Sequence, residues 1–213
     1  MTLTLTAEEL FRLAYENRYT WDKNFPGYTC DITLKNSQGT YTAKGEIKSN
    51  LEFGISEIED ELAKKAIHGQ LWEITIHRVN HSFEKSHGEN TFTFGTKDDN
   101  GAIEIIVGGA GQGNKYKVHN NTVSFVYRKI GNSIVAINTF DILNTDEGYL
   151  SQGYDSIYLD IETKQPKGNK TVFHDTFEKI DGYYILTNRR ITGEENGQPT
   201  ITEYQFSNIV LNR

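Results

Sequence analysis

The sequence predicts an α+β fold: a single curled antiparallel β-sheet of about 11 strands, a half-barrel, with an N-terminal helix and a helical insertion after the second strand. Three observations predict it. A capping-box pattern at Thr6 precedes a short amphipathic segment, runs of alternating polar and apolar residues fill the chain from about residue 90 onward, and Asn-Gly-type pairs separate those runs. Strands joined by such short turns must be antiparallel neighbours, because a parallel crossover needs a dozen residues or more.

Size and charge narrow the classes of function. The chain has 213 residues, which suits one domain over 1–213, and 22 Lys+Arg against 29 Asp+Glu give a net charge of 22 − 29 = −7. That balance disfavours nucleic-acid binding, since phosphate contacts need a surplus of basic residues. The single cysteine, Cys30, excludes an internal disulfide and a multi-cysteine metal site. The sequence start has no basic, apolar leader pattern and no run of 18 apolar residues occurs, so we expect a cytoplasmic protein without an integral membrane segment.

Two helical segments are predicted. Thr6 caps the first, over 7–18, and Glu9 reaches back to complete the capping box. By the same logic Ser56 caps a second segment over about 56–83, which Gly69 breaks or kinks.

The second helical segment has an alternative interpretation in its later half. Trp72, Ile76, Val79 and Phe83 are spaced 4, 3 and 4 residues apart, which favours a continuing helix with these four side chains pointing inward together. A strand over 71–79 with Trp72, Ile74 and Ile76 inward is the competing interpretation.

Strands are predicted from alternation bounded by turn residues. A first hairpin pairs 28–34 with 41–47 around Gln38-Gly39. Nine further candidates follow: Thr91–Phe94, Ala102–Val107, Lys115–His119, Val123–Lys129, Ser133–Ile142, Ile157–Ile161, Val172–Ile180, Tyr183–Thr192 and Ile201–Leu211. Between them, 108–113 is predicted to be a mobile hairpin loop, because its four glycines have little to bury, and 151–154 is predicted to be a loop.

Metal and cofactor chemistry find little support in the sequence. His77 and His81 are an i, i+4 pair, but a zinc hydrolase helix would carry glutamate directly after the first histidine, and Arg78 stands there. We therefore predict no metal and no cofactor.

Aromatic residues are the most informative feature for function. Tyrosines and phenylalanines crowd the C-terminal strands, and a tyrosine has an apolar body with a polar tip, which suits a partly hydrated cavity. The predicted cavity-lining residues are Trp72, Ile76, Tyr158, Phe173, Phe177, Tyr184, Tyr204 and Phe206. The preferred function is non-enzymatic binding or carriage of a hydrophobic or amphipathic small molecule, such as a lipid or pigment. A cofactor-free enzyme in the same cavity and a protein-binding assembly factor remain the alternatives.

Three segments resemble a known family. They are FRLAYENRYTWDKNFPGYTCD at 11–31, LWEITIHRVNHSFEKSHGENTFTFG at 71–95 and DEGYLSQG at 146–153, and they resemble a domain of unknown function found in cyanobacterial and plastid proteins. The resemblance implies a photosynthetic lineage and no established activity, so no catalytic residue is carried over.

The layout also resembles the LolA/LolB-type lipoprotein carriers, through an N-terminal helix leading into a hairpin and a closing strand after DTFEKIDGYYILTNRRIT. That resemblance implies a curled antiparallel half-barrel that holds acyl chains against a helical lid. Carriers of that type are exported, whereas the start of this sequence predicts no signal peptide, which argues against lipoprotein transport itself.

Overall fold

The computed structural model describes residues 5–212 and confirms the predicted fold class. Its strands form one open antiparallel sheet of 12 strands in the order β3-β2-β1-β12-β11-β10-β9-β8-β7-β6-β5-β4. The helices are α1 (Ala7–Glu16), α2 (Glu61–Arg78) and α3 (Phe83–His87). The strands are β1 (Gly27–Asn36), β2 (Gly39–Lys48), β3 (Phe53–Ser56), β4 (Asn90–Lys97), β5 (Ile103–Gly109), β6 (Lys115–His119), β7 (Thr122–Ile130), β8 (Ser133–Thr145), β9 (Gly148–Asp160), β10 (Thr171–Ile180), β11 (Tyr183–Glu195) and β12 (Gln198–Leu211).

The N-terminal capping box is confirmed. The Thr6 side chain accepts a hydrogen bond from the Glu9 backbone N–H at 3.2 Å, and the Glu9 carboxylate accepts one from the Thr6 backbone N–H at 2.7 Å. The helix ends at Glu16, two residues earlier than predicted, because Asn17 already serves as its C-cap.

The helical insertion follows the third strand, so its predicted place after the second strand is wrong. Ser56 ends β3, which pairs with β2 through Ile47 opposite Phe53, and therefore cannot cap a helix. Glu57 next adopts a left-handed backbone with φ 57°. The cap is Asp60, whose carboxylate accepts a hydrogen bond from the Ala63 backbone N–H at 2.8 Å.

The interpretation of 71–79 as helix is confirmed as far as Arg78, but one continuous helix to residue 83 is wrong. Val79 has an extended backbone with ψ 129°, which ends α2. Phe83 begins the separate helix α3, capped by Ser82. The non-helical residues 79–82 place Trp72 and Phe83 on different helices. The 4-3-4 spacing from Trp72 to Phe83 therefore does not describe one face of a single helix.

The strand pattern is largely confirmed and the turns fall where the turn pairs predict them. Residues of positive φ occur at Gly101, Asn121, Gly131, Gly182 and Asn196, in the predicted connections.

One predicted loop is part of a strand. The segment 151–154 lies inside β9, where Ser151 pairs with Ile142 and Tyr154 pairs with Thr139. The predicted strand at 157–161 is therefore only the end of a strand that begins at Gly148.

Backbone contacts divide the chain into two compact units, each assembled from separate stretches of sequence. Among the described residues, the first unit comprises 5–19 together with 81–172, and the second comprises 20–80 together with 173–212.

In the first unit, α1 and α3 pack on one face of strands β4–β7. Phe11 stacks on Tyr116 with ring centroids 4.4 Å apart and meets Phe83 edge-on at 5.7 Å. The buried residues of this core are Ala7, Phe11, Ala14, Phe83, Ile105, Val107, Tyr116 and Val118.

In the second unit, alternate residues of β1, β2 and β12 are buried. Tyr28 lies opposite both Ile47 and Leu211, and Leu34 lies opposite Tyr204. Helix α2 packs on β2 and β3, and its buried face consists of Ala63, Ile67, Leu71, Ile74 and Thr75.

Candidate functional site

The predicted cavity residues fall into three exposure classes. Tyr158 belongs to the first unit and the seven others belong to the second. The exposed residues are Trp72, Ile76 and Tyr158, the half-buried ones are Phe173 and Tyr184, and the buried ones are Phe177, Tyr204 and Phe206. Their joint role in lining one cavity stays a prediction.

The predicted inward direction of Trp72 and Ile76 is wrong. Trp72 is 52% exposed and Ile76 is 40% exposed, whereas the adjacent Leu71 is fully buried. The reason is that α2 is apolar on two opposite sides: Leu71 belongs to the side that packs on the sheet, and Leu62, Trp72 and Ile76 form an apolar stripe on the solvent side. Periodicity identifies both stripes equally well and does not say which one is buried.

A buried ionic cluster lies in the second unit, on β10, β11 and α2. Arg189 donates to both carboxylate oxygens of Asp175, with Nε–Oδ1 2.8 Å and Nη2–Oδ2 2.6 Å. Its Nη1 donates to Gln70 Oε1 and to Glu73 Oε2, each at 2.9 Å. Arg189 and Asp175 are both buried, so each charge depends on these partners. The cluster is satisfied by its own members and joins α2 to β10 and β11.

A second group of polar and aromatic side chains lies in the first unit and was not predicted from the sequence. We call Tyr15, Arg18, His87, Tyr116 and Arg128 the arginine–aromatic cluster. The Arg18 guanidinium lies 3.8 Å from the Tyr15 ring centroid, and the His87 ring lies 5.0 Å from Tyr15 and 6.0 Å from Tyr116. Arg128 lies two residues along β7 from Val126, which is directly opposite Tyr116, so Arg128 is on the same face of the sheet as Tyr116. The two arginines therefore border one continuous aromatic group.

The titration of this cluster reflects burial and positive charge. Burial, which is the largest cause, and the charges of Arg18 and Arg128 together lower the pKa of His87 to about 4. Asn90 fixes the neutral form, because its amide nitrogen lies 3.2 Å from His87 Nδ1 while its Oδ1 accepts from the Gly111 N–H at 2.7 Å.

An apolar surface continues from the cluster along the neighbouring strands. Arg128 of β7 pairs with Val135 of β8, and Val135 pairs with Tyr158 of β9. In the next row on the same face, Val126 of β7 pairs with Ile137 of β8. Directly paired residues share a face of a sheet, and Val126 packs against the helix-covered core of the first unit, so all five lie on that same face. We call these five residues the β7–β9 face.

The β7–β9 face is only partly accessible. Val135 is buried, Val126 and Ile137 are half-buried, Arg128 is exposed and Tyr158 is 51% exposed. The face thus combines aliphatic side chains, a tyrosine with a polar tip and a cation at one edge. That combination suits a molecule with an apolar part and a polar part. The only signal in the sequence is that Arg128 is two residues after Val126 in an alternating strand, where an apolar residue is expected.

Two grooves elsewhere are less suited to an apolar ligand. One, of about 720 Å³, lies between β1, β2 and β3, where Asp31 accepts hydrogen bonds from Lys44 and, at 2.7 Å, from Asn208. The other, of about 430 Å³, lies on β10, β11 and β12 and includes Phe206 of the predicted residues. Charged and amide side chains dominate the first groove, as expected for a solvated sheet face.

Individual reactive candidates also have structural explanations. Cys30 is buried in β1, where burial raises the pKa of its thiol to about 12, so the thiol stays protonated. His77 is in the last turn of α2 and His81 follows the helix end, so the two do not share a helical face. Within residues 5–212 no group of three or more His, Cys, Asp or Glu side chains could hold a metal ion. No helix in that range is long and apolar enough to cross a membrane.

The fold is that of α+β proteins built on one open antiparallel sheet. The chain belongs to a family described as a protein of unknown function (DUF3386), whose model matches residues 2–211. This confirms the resemblance to a domain of unknown function. In a comparison with curated proteins, no sequence matches the chain.

Solved structures with a similar arrangement share little sequence with the chain. A LolA superfamily protein from Nitrosomonas europaea is 8% identical, with a TM-score of 0.35 over 99% of this chain and 95% of its own. A DUF1329 family protein from Desulfovibrio piger is 11% identical, with a TM-score of 0.34 over 98% of this chain and 94% of its own.

Proposed function

We propose that this chain binds a hydrophobic or amphipathic small molecule on the β7–β9 face and catalyses no reaction on it. The observation that carries the proposal is the row Arg128–Val135–Tyr158 beside Val126 and Ile137, which extends the apolar core of the first unit into an accessible surface. Binding sites for small molecules typically combine such apolar walls with a few polar groups.

The nature of the polar groups favours binding over catalysis. A general acid–base site needs a titrating group near its working pH and a partner that orients it. His87 instead stays neutral well below neutral pH, with the amide of Asn90 and aromatic rings as its neighbours. The buried carboxylate of Asp175 is held in an ion pair with Arg189. Lipids and pigments combine a large apolar part with a few polar groups, so they are the first ligands to test.

Binding of Nile red, a neutral apolar dye, tests the proposal. We expect its fluorescence to rise with the wild-type chain and to fall in Ile137→Ser and Tyr158→Ser. Ile106→Ser is the matched control, because Ile106 is an exposed isoleucine on the opposite face of the first unit's strands. Urea unfolding midpoints establish that each variant is folded. Equal dye binding by all four proteins would overturn the assignment to this face, and native mass spectrometry of the chain from its host then identifies any co-purifying molecule.

A second candidate function is binding to another protein through α2. The exposed side chains of Trp72 and Ile76, which lie one turn apart on the solvent side of α2, favour it, since exposed apolar patches are typical of interaction sites. The chain has two tryptophans, and Trp21 is buried, so Trp21→Phe leaves Trp72 as the reporter. A partner that covers α2 shifts the Trp72 emission to shorter wavelength and protects it from iodide quenching. A partner that binds with no change in Trp72 emission or quenching would contradict this candidate.

A further inference from the structure

We infer that the ligand of the β7–β9 face carries an anionic head group, a carboxylate or phosphate on an apolar tail, which Arg18 and Arg128 bind. This inference deepens the proposed function and rests on it. It is carried by the position of two guanidinium groups at the end of an apolar surface.

The first step is that both arginines border the same aromatic cluster. Arg18 stacks on Tyr15, the Tyr15 ring contacts His87, and His87 contacts Tyr116. Arg128 lies two residues along β7 from Val126, which is directly opposite Tyr116, and the positive charges of Arg18 and Arg128 both lower the pKa of His87. Tyr116 belongs to the buried core, which fixes the position of the cluster. The guanidinium groups are thus attached to a rigid part of the first unit.

The second step is that neither arginine has an acidic partner. Across residues 5–212, neither the Arg18 nor the Arg128 guanidinium lies within 4.0 Å of a carboxylate. Arg12 in the same unit forms ion pairs with Glu8 and Glu84. The Arg18 Nε donates to the Tyr15 carbonyl at 2.9 Å, and its Nη groups make no hydrogen bond to the described residues. Unpaired guanidinium donors match the planar oxygens of carboxylates and phosphates.

The third step is the local charge. The chain carries a net charge of −7, yet the arginine–aromatic cluster holds two positive charges. His87 adds none at neutral pH, and the neighbouring Asn90 is an amide. Two unpaired cations beside apolar surface attract anions to this place even though the chain as a whole is acidic.

The fourth step is the direction of the tail. Val135 and Tyr158 continue directly from Arg128 across two neighbouring strands, and Ile137 lies beside them. A head group at Arg128 therefore places an attached alkyl chain over the buried Val135 and against the accessible parts of Ile137 and Tyr158. Because adjacent strands lie about 4.8 Å apart, this path suits a chain of roughly eight to ten carbons.

Isothermal titration calorimetry with ligands of one tail length tests the inference. Decanoate and decyl phosphate carry the anion, decanol is the neutral amphiphile with the same tail, and acetate and inorganic phosphate carry the anion alone. We expect the two charged amphiphiles to bind about tenfold or more tightly than decanol, and that difference to shrink at high salt. The ratio between decanoate and decyl phosphate identifies which oxyanion fits better.

Arginine variants locate the charge effect. Arg128→Gln and Arg18→Gln should each remove most of the preference for decanoate over decanol. Lys129→Gln is the matched control: it changes the net charge equally, but the adjacent Lys129 faces the other side of β7 and donates to the Gln112 carbonyl. It should keep the full preference.

The outcomes separate the two proposals. The inference of an anionic head group would be overturned if decanoate and decanol bound equally well, or if Arg128→Gln and Lys129→Gln had equal effects. The proposed function would still be supported in that case if the wild-type chain bound Nile red. Acetate or phosphate binding as tightly as the decyl ligands would also overturn it, because the tail would then contribute nothing. Failure of Nile red and of all decyl ligands to bind would overturn the proposed function itself.

Discussion

Arg189 and Asp175 form a bidentate ion pair that is almost completely buried, with the two donor–acceptor distances at 2.8 and 2.6 Å. Neighbouring strands contribute the two residues, and α2 completes the site with Gln70 and Glu73. A buried charge that loses its partner is strongly destabilising, so this pair controls the stability of the second unit.

The first prediction concerns Arg189. Arg189→Met should lower the free energy of unfolding by about 3–5 kcal/mol, because it leaves the Asp175 carboxylate buried without a counter-charge. Arg190→Met is the matched control: Arg190 is adjacent, exposed and 3.9 Å from the exposed Glu203, so its loss should change stability by about 0.5 kcal/mol or less. Urea unfolding checks both. Equal losses in the two variants would mean that the buried pair contributes no more than a surface contact.

The second prediction distinguishes the two sides of α2. Leu71→Ala should cost about 2–5 kcal/mol, because Leu71 is fully buried against the sheet. Trp72→Ala removes a larger side chain from the solvent side and should cost about 0.5 kcal/mol or less. Thermal or urea unfolding measures both. The opposite order of the two losses would mean that the side of α2 that carries Trp72 and Ile76 is the buried one.

The helix comparison shows what the sequence can and cannot establish. The first helix could be predicted almost to the residue, because its capping box is local and Thr6 and Glu9 are the two residues that build it. The same pattern at Ser56 was misleading, because pairing of β3 with β2 is a long-range contact that overrides the local signal. The hairpins were also predictable from local signals, because their turns contain Gly and Asn residues, which adopt positive φ readily.

The candidate site was less predictable than the fold. Most of the aromatic residues that were predicted to line a cavity lie in the second unit, where Tyr204 and Phe206 are packed core residues. The arginine–aromatic cluster joins residues in and just after α1 with one residue each from α3, β6 and β7, and only the fold brings these together. No local pattern distinguishes Arg18 from other arginines, and the only sign at Arg128 is that alternation along β7 predicts an apolar residue at its position.

The third prediction concerns the glycine-rich connection, which was predicted to be a mobile loop. Gly108 and Gly109 belong to β5, and Gly111 packs so closely that an added Cβ would lie 2.8 Å from Asn90 Oδ1 and 2.9 Å from Val107 Cγ1. We expect Gly111→Ala to cost about 1–3 kcal/mol through overpacking. Gly69→Ala is the control: Gly69 lies in α2 with nothing within 4 Å of an added Cβ, so alanine should stabilise the chain by about 0.5–1 kcal/mol. A neutral Gly111→Ala variant would support the mobile-loop prediction instead.

The last prediction is a pH dependence that originates at His87. Burial and the charges of Arg18 and Arg128 lower its pKa to about 4 in the folded chain, against an ordinary value of 6.5. Between these two values the unfolded chain binds a proton that the folded chain does not, so stability falls as the pH decreases through this window. Protonation also removes the acceptor that His87 Nδ1 offers to the Asn90 amide. Because the ring is partly exposed and solvent screens its charge, we expect a contribution of about 1–2 kcal/mol.

A comparison of variants isolates this contribution from that of the carboxylates, which titrate in the same range. Urea unfolding at about pH 7 and about pH 4.5 should show a smaller loss of stability in His87→Gln than in the wild type. His81→Gln, which removes an exposed histidine, should retain the full loss. Arg128→Gln should also reduce the loss, because it removes one of the two charges that oppose protonation of His87. If Arg128→Gln leaves the pH dependence unchanged, then Arg128 is too far from His87 in solution to form one cluster with Arg18, and the shared anion site would lose its geometric basis.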